Sequence, residues 1–484
     1  MNIMNIKLIF INKNWNLKQE TIKYCELDCI SLFQIILKFN NMIFNLFNLN
    51  IHKFPTLPSL AFAIYRSNFM RENIIPQLSG KIANDIRKSY TGGAVDMYIP
   101  KPLKRVKIFG YDVNALYPSQ MSNMLMPVGN PTYFKGNIRL LDLYAFGFFY
   151  CKIIAPDNLK HPILQTHVKT NNGTRTIAPL GQWEDMIFSE EMDNAKKLGY
   201  EFEILWGYTF KSKYIFEEYV NTLHNMRKEY PPGDPMNYIA KILLNSLYGR
   251  FGMDDNFIEV NIIHKDFYAD FENKYLDYII DKKILGDYIL VSYRNYNKEI
   301  QDEATHNISI GIAASITAYA RIYMSWFKNN PDFNLYYTDT DSAYIDKQLP
   351  KEMVDAKMLG KLKLENICNN AIFLSPKVYC LETEDGRSIY KVKGLSHEVE
   401  LTMKDFENLL NKDAILEKTH TKWMRNLSDA KITLLEQLYT LKVTDSKREL
   451  IYNKNNKLIG TKAYRIDKTK DIRNKQVYPL LKQV

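Results

Sequence analysis

Cysteine is scarce in this 484-residue chain: there are five, Cys25, Cys29, Cys151, Cys368 and Cys380, and none stands in paired CxxC spacing. That pattern offers neither a zinc ribbon nor a disulfide framework and suits a reducing compartment. Glycine is also low, at 20 residues, and neither a low-complexity linker nor an internal repeat divides the chain. The least polar stretch, 305–320, still carries Ser, Thr and Asn. It falls short of the roughly 20 apolar residues of a membrane span, so no membrane segment is expected. The opening MNIMNIKLIFINKNW has no compact apolar core with a small-residue cleavage site and no Arg/Ser-rich amphipathic pattern, so no import signal is read there.

With 46% hydrophobic and 24% charged positions, the chain can bury more than one core, which excludes a disordered tail or a small stapled scaffold. Sixty-four Lys+Arg against 54 Asp+Glu leave a net charge of +10, which favours an anionic partner such as nucleic acid without defining one. The heavy use of Asn, Ile, Lys, Tyr and Phe is the bias of an AT-rich gene and fits an organelle, a plasmid or a phage.

Residues 27–48 are apolar at helical spacing, with few charges to define a solvent face, and such a helix normally lies against something large. Residues 61–70 read as a second helix, and RKSYTGGAVDMYIPKP supplies a glycine turn and a Pro-bounded strand. KRVKIFGYDV (104–113) alternates like a strand and runs directly into a helix over 114–124, which places Asp112 at a strand end. From about 130 to 210 short strands surround one helix, 189–198. A helical stripe over 213–227 is broken by PPGDP, after which Asp234 as N-cap and Pro235 at N1 start a helix ending at Gly249. The two helices make a hairpin. A long apolar helix over 305–327 leads into NLYYTDTDSAYID, two short strands around an acidic turn.

That turn carries Asp339 and Asp341. Two carboxylates two apart in extended backbone point to one face and make a hard-oxygen site suited to Mg²⁺. Taken alone, the segment reads equally as a solvated acidic turn. Asp112 could supply a third carboxylate or could simply cap the following helix. Three carboxylates on neighbouring strand ends can hold two divalent ions, one activating a 3′-hydroxyl and one neutralising a leaving pyrophosphate, which is the chemistry of nucleotidyl transfer. In the helix 235–249, Asn237, Lys241, Asn245 and Tyr248 line one stripe suited to a nucleoside triphosphate. Considered alone, that stripe reads better as the solvated face of an amphipathic helix.

The conjunction decides. DVNALYPSQM (112–121), KILLNSLYGRFG (241–252) and YTDTDS (337–342) closely resemble the A, B and C motifs of family B DNA polymerases. The resemblance extends to SYTGG (89–93), LGKLKLE (359–365), PKVYC (376–380) and KVKG (391–394), and so covers about 85–400. Within that family, YxGG before motif A, KxY after motif C and a large insertion between A and B look like the protein-primed branch of terminal-protein phages and linear mitochondrial plasmids.

The resemblance implies an α+β right hand with an antiparallel-sheet palm, helical-hairpin fingers and a thumb. Asp112 and Asp341 match the metal-ligand aspartates and Asp339 the additional acidic residue of motif C. The ions would be two Mg²⁺, with Mn²⁺ as a substitute. Val113 would offer a backbone carbonyl, and Tyr117 matches the aromatic residue that packs under the incoming sugar and excludes a 2′-hydroxyl. Lys241 matches the triphosphate lysine, Asn245 and Tyr248 the base-pair pocket, and Arg227 or Lys228 could be a second phosphate clamp. Tyr90, Gly92 and Gly93 match the template-strand contact, and Lys377, Tyr379 and Lys393 belong with the primer-strand contact. Ala115 stands where many relatives have Ser, with little effect expected.

The partners implied are a DNA template-primer, deoxynucleoside triphosphates and a terminal (priming) protein, with no membrane, in a mitochondrion or else in a phage or cytoplasmic plasmid. The layout expected is an exonuclease remnant over 1–50, a connecting segment over 51–103, palm over 104–135 and 304–394, and fingers over 211–252. Insertions resembling the two terminal-protein regions fall at 136–210 and 253–303, and the thumb at 395–484. YCELD (24–28) resembles the third exonuclease motif, YxxxD, through Tyr24 and Asp28. Residues 1–23 hold neither of the two earlier acidic motifs, so a truncated domain without 3′–5′ degradation is expected. The rival reading is a degenerate remnant that at most binds nucleic acid.

Overall fold

The computed structural model describes residues 16–70, 72, 74–102, 106–170, 173–253, 258–294, 309–396, 398–426 and 431–468. Outside them lie 1–15 of the expected exonuclease remnant, 104–105 of the expected palm strand, 295–303 of the second insertion, 305–308 of the long helix and 469–484 of the expected thumb. The chain divides into two units, 1–72 and 73–484.

Among its described residues the first unit is entirely helical. Its long helix, Leu17–Phe47, begins well before the apolar run that announces it, because the preceding residues include the good helix formers Lys18, Gln19 and Glu20. Asn16 caps it by accepting from the Gln19 amide at 3.2 Å, and Asn48 ends it in the left-handed conformation, φ 54°. A Thr56/Ser59 capping box then starts Leu57–Ile64, which continues into a π-helical turn, Tyr65–Phe69. Ile43, Phe47, Leu60, Ile64 and Tyr65 are buried, and Asn68 Nδ2 ties the turn to the carbonyls of Phe47 and Ile64.

The outer part of the long helix is different: Ile22, Tyr24, Leu27, Ile30, Phe33 and Ile35 are 47–66% exposed. By length and composition this helix is long and apolar enough to cross a membrane. Glu26, Asp28 and Lys38 stand among these apolar residues both in sequence and around the helix.

The second unit is built on a seven-stranded antiparallel sheet in the order Val95–Met97, Leu335–Asp339, Ser342–Ile345, Ile108–Val113, Leu362–Ser375, Val378–Thr383, Ser388–Val392. Alternation decides its faces. Tyr111, Val113, Ala343 and Ile345 pack with Leu116 and Ala320 of the helices Leu116–Asn123 and Ile310–Ser325. Their neighbours Gly110, Asp112 and Ser342 therefore belong to the opposite face, where a Cβ on Gly110 would lie 2.7 Å from the Tyr344 ring. Farther along that face Tyr337 and Phe373 stack at 5.2 Å over Leu401 and Phe406.

A second, five-stranded sheet runs in the order Arg465–Lys468, Leu180–Phe188, Gly147–Ala155, Glu201–Lys213, Met126–Lys135, with the helix Ser189–Lys196 against it. Its strands are longer than the short segments read from sequence. The residues expected to open a helix at 213 instead finish the strand Glu201–Lys213, and the helix is Glu217–Glu229. Met126–Lys135 belongs to this sheet, and so does Arg465–Lys468, which pairs in parallel with Leu180–Phe188.

The helical hairpin pairs Glu217–Glu229 with Pro235–Phe251, and Asp234 caps the second helix as expected, accepting from the Met236 amide at 2.7 Å. The helix passes Gly249 and stops at Gly252. Arg87 closes that end by donating to the carbonyls of Gly252 and Met253. Beyond the hairpin lie a three-stranded sheet (Ile279–Leu285, Tyr288–Arg294, Ile258–His264) with the helix Lys265–Tyr275, and later the long exposed hairpin Leu416–Asn426/Lys431–Leu441.

Candidate active site

Three carboxylates meet at the centre of the seven-stranded sheet. Asp112 pairs across the ladder with Ser342, Asp339 ends its strand, and Thr340 closes the turn at φ 59° so that Asp341 follows at once. The Val113 amide donates to the Asp341 carbonyl at 2.8 Å and the Asp341 amide to the Asp339 carbonyl at 2.7 Å, so backbone bonds fix how the two strand ends meet. The alternative of Asp112 as a helix cap does not hold: the cap position is Ala115, left-handed at φ 49°, with no side-chain cap bond. An alanine in that conformation costs about 1–2 kcal/mol, which shows how strictly the strand-to-helix turn is imposed.

The carboxylates are not equivalent. Asp339 has its own cation, since Lys377 Nζ donates to both its oxygens at 2.9 and 3.0 Å. Asp112 has none so close: burial, then the negative charges of Asp341 and Glu365, push its carboxyl up to about 7. Burial raises Asp341 as well, with Asp339 and Glu365 adding to it. Among the described residues no group of three His, Cys, Asp or Glu side chains is placed to cage a metal. Two crowded carboxylates nevertheless fit a hard divalent ion that takes its other ligands from water and phosphate oxygens.

Beside the carboxylates, Tyr117 stands in the first turn after the strand, its ring stacked on Tyr248 at 4.3 Å and 28°. Lys241 and Asn245 are exposed on the Tyr248 helix. Asn237, expected in the same stripe, is used elsewhere: its Nδ2 donates to the carbonyls of Arg227 and Tyr230 and locks the hairpin. Arg227 is half-buried on the first hairpin helix, where burial lowers its pKa.

The SYTGG loop packs against both groups. A Cβ on Gly252 would lie 2.7 Å from the Tyr90 hydroxyl, which brings Tyr90 to the end of the Tyr248 helix. A Cβ on Gly93 would lie 2.6 Å from Thr340 Cγ2 and 2.9 Å from its Cα, whereas one on Gly92 would meet nothing within 4 Å. Gly93→Ala is therefore expected to cost about 1–3 kcal/mol of stability through overpacking, and Gly92→Ala almost none. Urea midpoints measured side by side check this, and equal midpoints would refute it.

Of the residues matched to primer contacts, Lys377 sits on the acidic turn and Tyr379 is half-buried with Tyr337 at 5.5 Å. Lys393 is exposed, its amide donating to the Lys377 carbonyl at 3.2 Å. Tyr24 and Asp28 belong to the first unit and are exposed one turn apart on its long helix.

Two features were missed in the sequence. Glu365, in LGKLKLE, acts electrostatically on both Asp112 and Asp341. Its signal was the alternation Lys363, Glu365 on the strand paired with Asp112. Arg321, the one charge in an otherwise apolar helix, is buried in an ion pair with Glu191.

A seven-stranded palm-like sheet carrying paired aspartates, with a helical hairpin beside it, defines a polymerase fold, and the solved structures agree. Phi29 DNA polymerase, in its complex with primer-template DNA and incoming nucleotide, superposes with a TM-score of 0.60 at 18% identity, over 80% of this chain and 68% of that one. The family model described as DNA polymerase type B, organellar and viral, matches residues 4–333, and the chain belongs to that family. It is 40% identical over 434 residues to a protein of Neurospora intermedia named "Probable DNA polymerase", covering 88% of this chain and 44% of that protein. A protein of Ascobolus immersus with the same name is 36% identical over 96% of this chain and 38% of its own length. The chain thus spans about two fifths of the length of these relatives.

Proposed function

We propose that this chain is a DNA-templated DNA polymerase that extends a primer 3′-hydroxyl with deoxynucleotides, in protein-primed replication of a linear DNA. The observation that carries the reading is the pair Asp112 and Asp341 on adjoining strand ends, crowded by burial and like charge, beside the Tyr117–Tyr248 stack. Asp112 and Asp341 would hold two Mg²⁺, for which Mn²⁺ can substitute. When bound, such ions lower the pKa of the attacking hydroxyl and neutralise the leaving pyrophosphate.

The chain's own residues do the rest. Tyr117 presents its ring where a sugar would lie and leaves no room for a 2′-hydroxyl, while Tyr248 and Asn245 face the base pair. Lys241, exposed one helical stripe away, meets the triphosphate with Arg227. Lys377 holds Asp339 in the absence of DNA and is available to a primer phosphate when the duplex enters. Tyr90, Gly92, Gly93, Tyr379 and Lys393 line the DNA path. In this layout 104–135 and 304–394 form the palm, 211–252 the fingers and 395–484 the thumb, and 136–210 and 253–303 are the terminal-protein regions, with Met126–Lys135 of the palm segment and Arg465–Lys468 of the thumb segment lent to the five-stranded sheet. A terminal protein supplies the priming hydroxyl, and the gene belongs to organellar DNA or a linear plasmid.

Purified protein assayed for divalent-dependent primer extension, with Asp341→Ala as control, tests the reading. Extension absent in both proteins would refute it. Lys241→Ala is expected to raise the apparent KM for all four nucleotides equally, by roughly tenfold, because a cation on the triphosphate carries no base information. A base-selective defect in single-nucleotide kinetics would remove Lys241 from that role.

A further inference from the structure

The Thr91–Gly93 loop is held from behind by a buried ion pair. Arg321 Nε and Nη2 donate to the two carboxylate oxygens of Glu191 at 2.7 and 2.8 Å, and both side chains are over nine-tenths buried. The remaining nitrogen, Nη1, turns to the loop and donates to the Thr91 carbonyl at 2.5 Å. Gln165 reinforces the same point, its Nε2 donating to the Gly92 carbonyl at 2.8 Å and to Thr91 Oγ1 at 3.2 Å. Glu191 and Gln165 both come from the insertion that carries the five-stranded sheet, whereas Arg321 comes from the long helix behind the palm. Two separate parts of the fold therefore converge on one loop.

What that loop touches in front gives the contact its meaning. The Gly93 backbone faces the Tyr117 hydroxyl closely enough to act on it electrostatically. The Ala94 carbonyl accepts from the Thr340 amide at 3.0 Å, between Asp339 and Asp341, and Gly93 packs directly on Thr340. A buried ion pair adds little net stability over apolar residues of the same shape, so the contribution expected of this one is geometric. A shift of the loop would reach the acidic turn through Thr340 and the aromatic pair through the Tyr117 hydroxyl.

We infer that Arg321, braced by Glu191 and aided by Gln165, is a positioning residue that fixes the Tyr117 gate through the Thr91–Gly93 loop and so sets discrimination between deoxyribose and ribose. The inference rests on the polymerase reading. It adds to it that sugar choice is governed from the insertion, across a relay of backbone groups that never touch the nucleotide.

The test measures kcat/KM for a deoxynucleotide and the matching ribonucleotide in wild type, Gln165→Ala, Arg321→Lys and the double variant Arg321→Met/Glu191→Gln, which leaves no buried charge unpaired. The expected result is a fall in the deoxy-to-ribo ratio of roughly tenfold in the double variant, since small misplacements at a reacting centre have effects of this order or larger. Smaller falls are expected for Gln165→Ala and Arg321→Lys, the latter keeping the charge but not the bidentate fork. Because Gln165 is not part of the buried pair, its variant stands as the measurement if the double variant does not fold. A ratio unchanged in every folded variant, even with both rates reduced together, would show a purely structural role and overturn the inference. A wild type that incorporates neither sugar would instead overturn the polymerase reading, and this inference with it.

Discussion

Alanine in place of Asp112 or Asp341 is expected to lower nucleotide incorporation by about 10³-fold or more, the scale on which removing a group that stabilises transition-state charge acts. Binding of primer-template DNA is expected to change little, because it depends on phosphate contacts spread over a basic surface. Single-turnover incorporation and equilibrium DNA binding, measured on the same preparations, check both halves. Turnover near that of wild type in either variant would remove that residue from the chemistry.

The same aspartates carry a stability consequence of known sign. The Asp112 carboxyl is raised to about 7 in the folded chain, chiefly by burial, well above the ordinary carboxylate range. A carboxyl that holds its proton more tightly when folded costs stability once ionised, and the cost grows as pH rises from roughly 4 to 7. Asp112→Asn is therefore expected to raise the melting temperature at neutral pH without divalent ions, while abolishing incorporation. The proposed catalytic role and the folding requirement oppose each other at this position.

Tyr117→Val should open the sugar pocket. The ribonucleotide-to-deoxynucleotide ratio of kcat/KM is expected to rise by roughly 10²-fold with little loss in deoxynucleotide use, since the proposed role is steric and the valine leaves space where the ring stood. Tyr117→Phe separates the two properties of the side chain. It keeps the stack on Tyr248 at 4.3 Å but loses the hydroxyl that faces the Gly93 backbone. Its discrimination should fall between wild type and the valine variant. An unchanged ratio in Tyr117→Val would exclude Tyr117 from the pocket altogether.

The parts of this site that could be read in advance are those fixed by neighbours in sequence. Period-two alternation around YTDTDS located the hairpin and put Asp339 and Asp341 on its turn, and Asp234 followed by Pro235 marked a helix start that the Met236 amide confirms. Gly249 misled, because a glycine within a helix carries no mark to distinguish it from the true stop, Gly252, whose identity is demanded by the distant Tyr90 hydroxyl. Glu365 and Arg321 were hidden for the same reason: their partners stand on other strands and helices, and only the fold brings Asp112 or Glu191 to them. The apolar helical run over 27–48 was legible, whereas its extension back to Leu17 was not, because Lys18, Gln19 and Glu20 continue the helix without apolar periodicity.

The parallel strand Arg465–Lys468 has a consequence for how the chain is made. It is hydrogen-bonded to Leu180–Phe188, so the five-stranded sheet takes its last member from residues nearly three hundred positions downstream. During synthesis, Leu180–Phe188 leaves the ribosome with one edge paired to Gly147–Ala155 and the other bare, and stays so until the segments up to Arg465 have followed. A bare strand edge invites pairing with other chains, and a contact of such long sequence separation is slow to form. Nascent chains stalled before residue 465 should accordingly be the aggregation-prone species, and chaperone demand should peak just before that strand emerges.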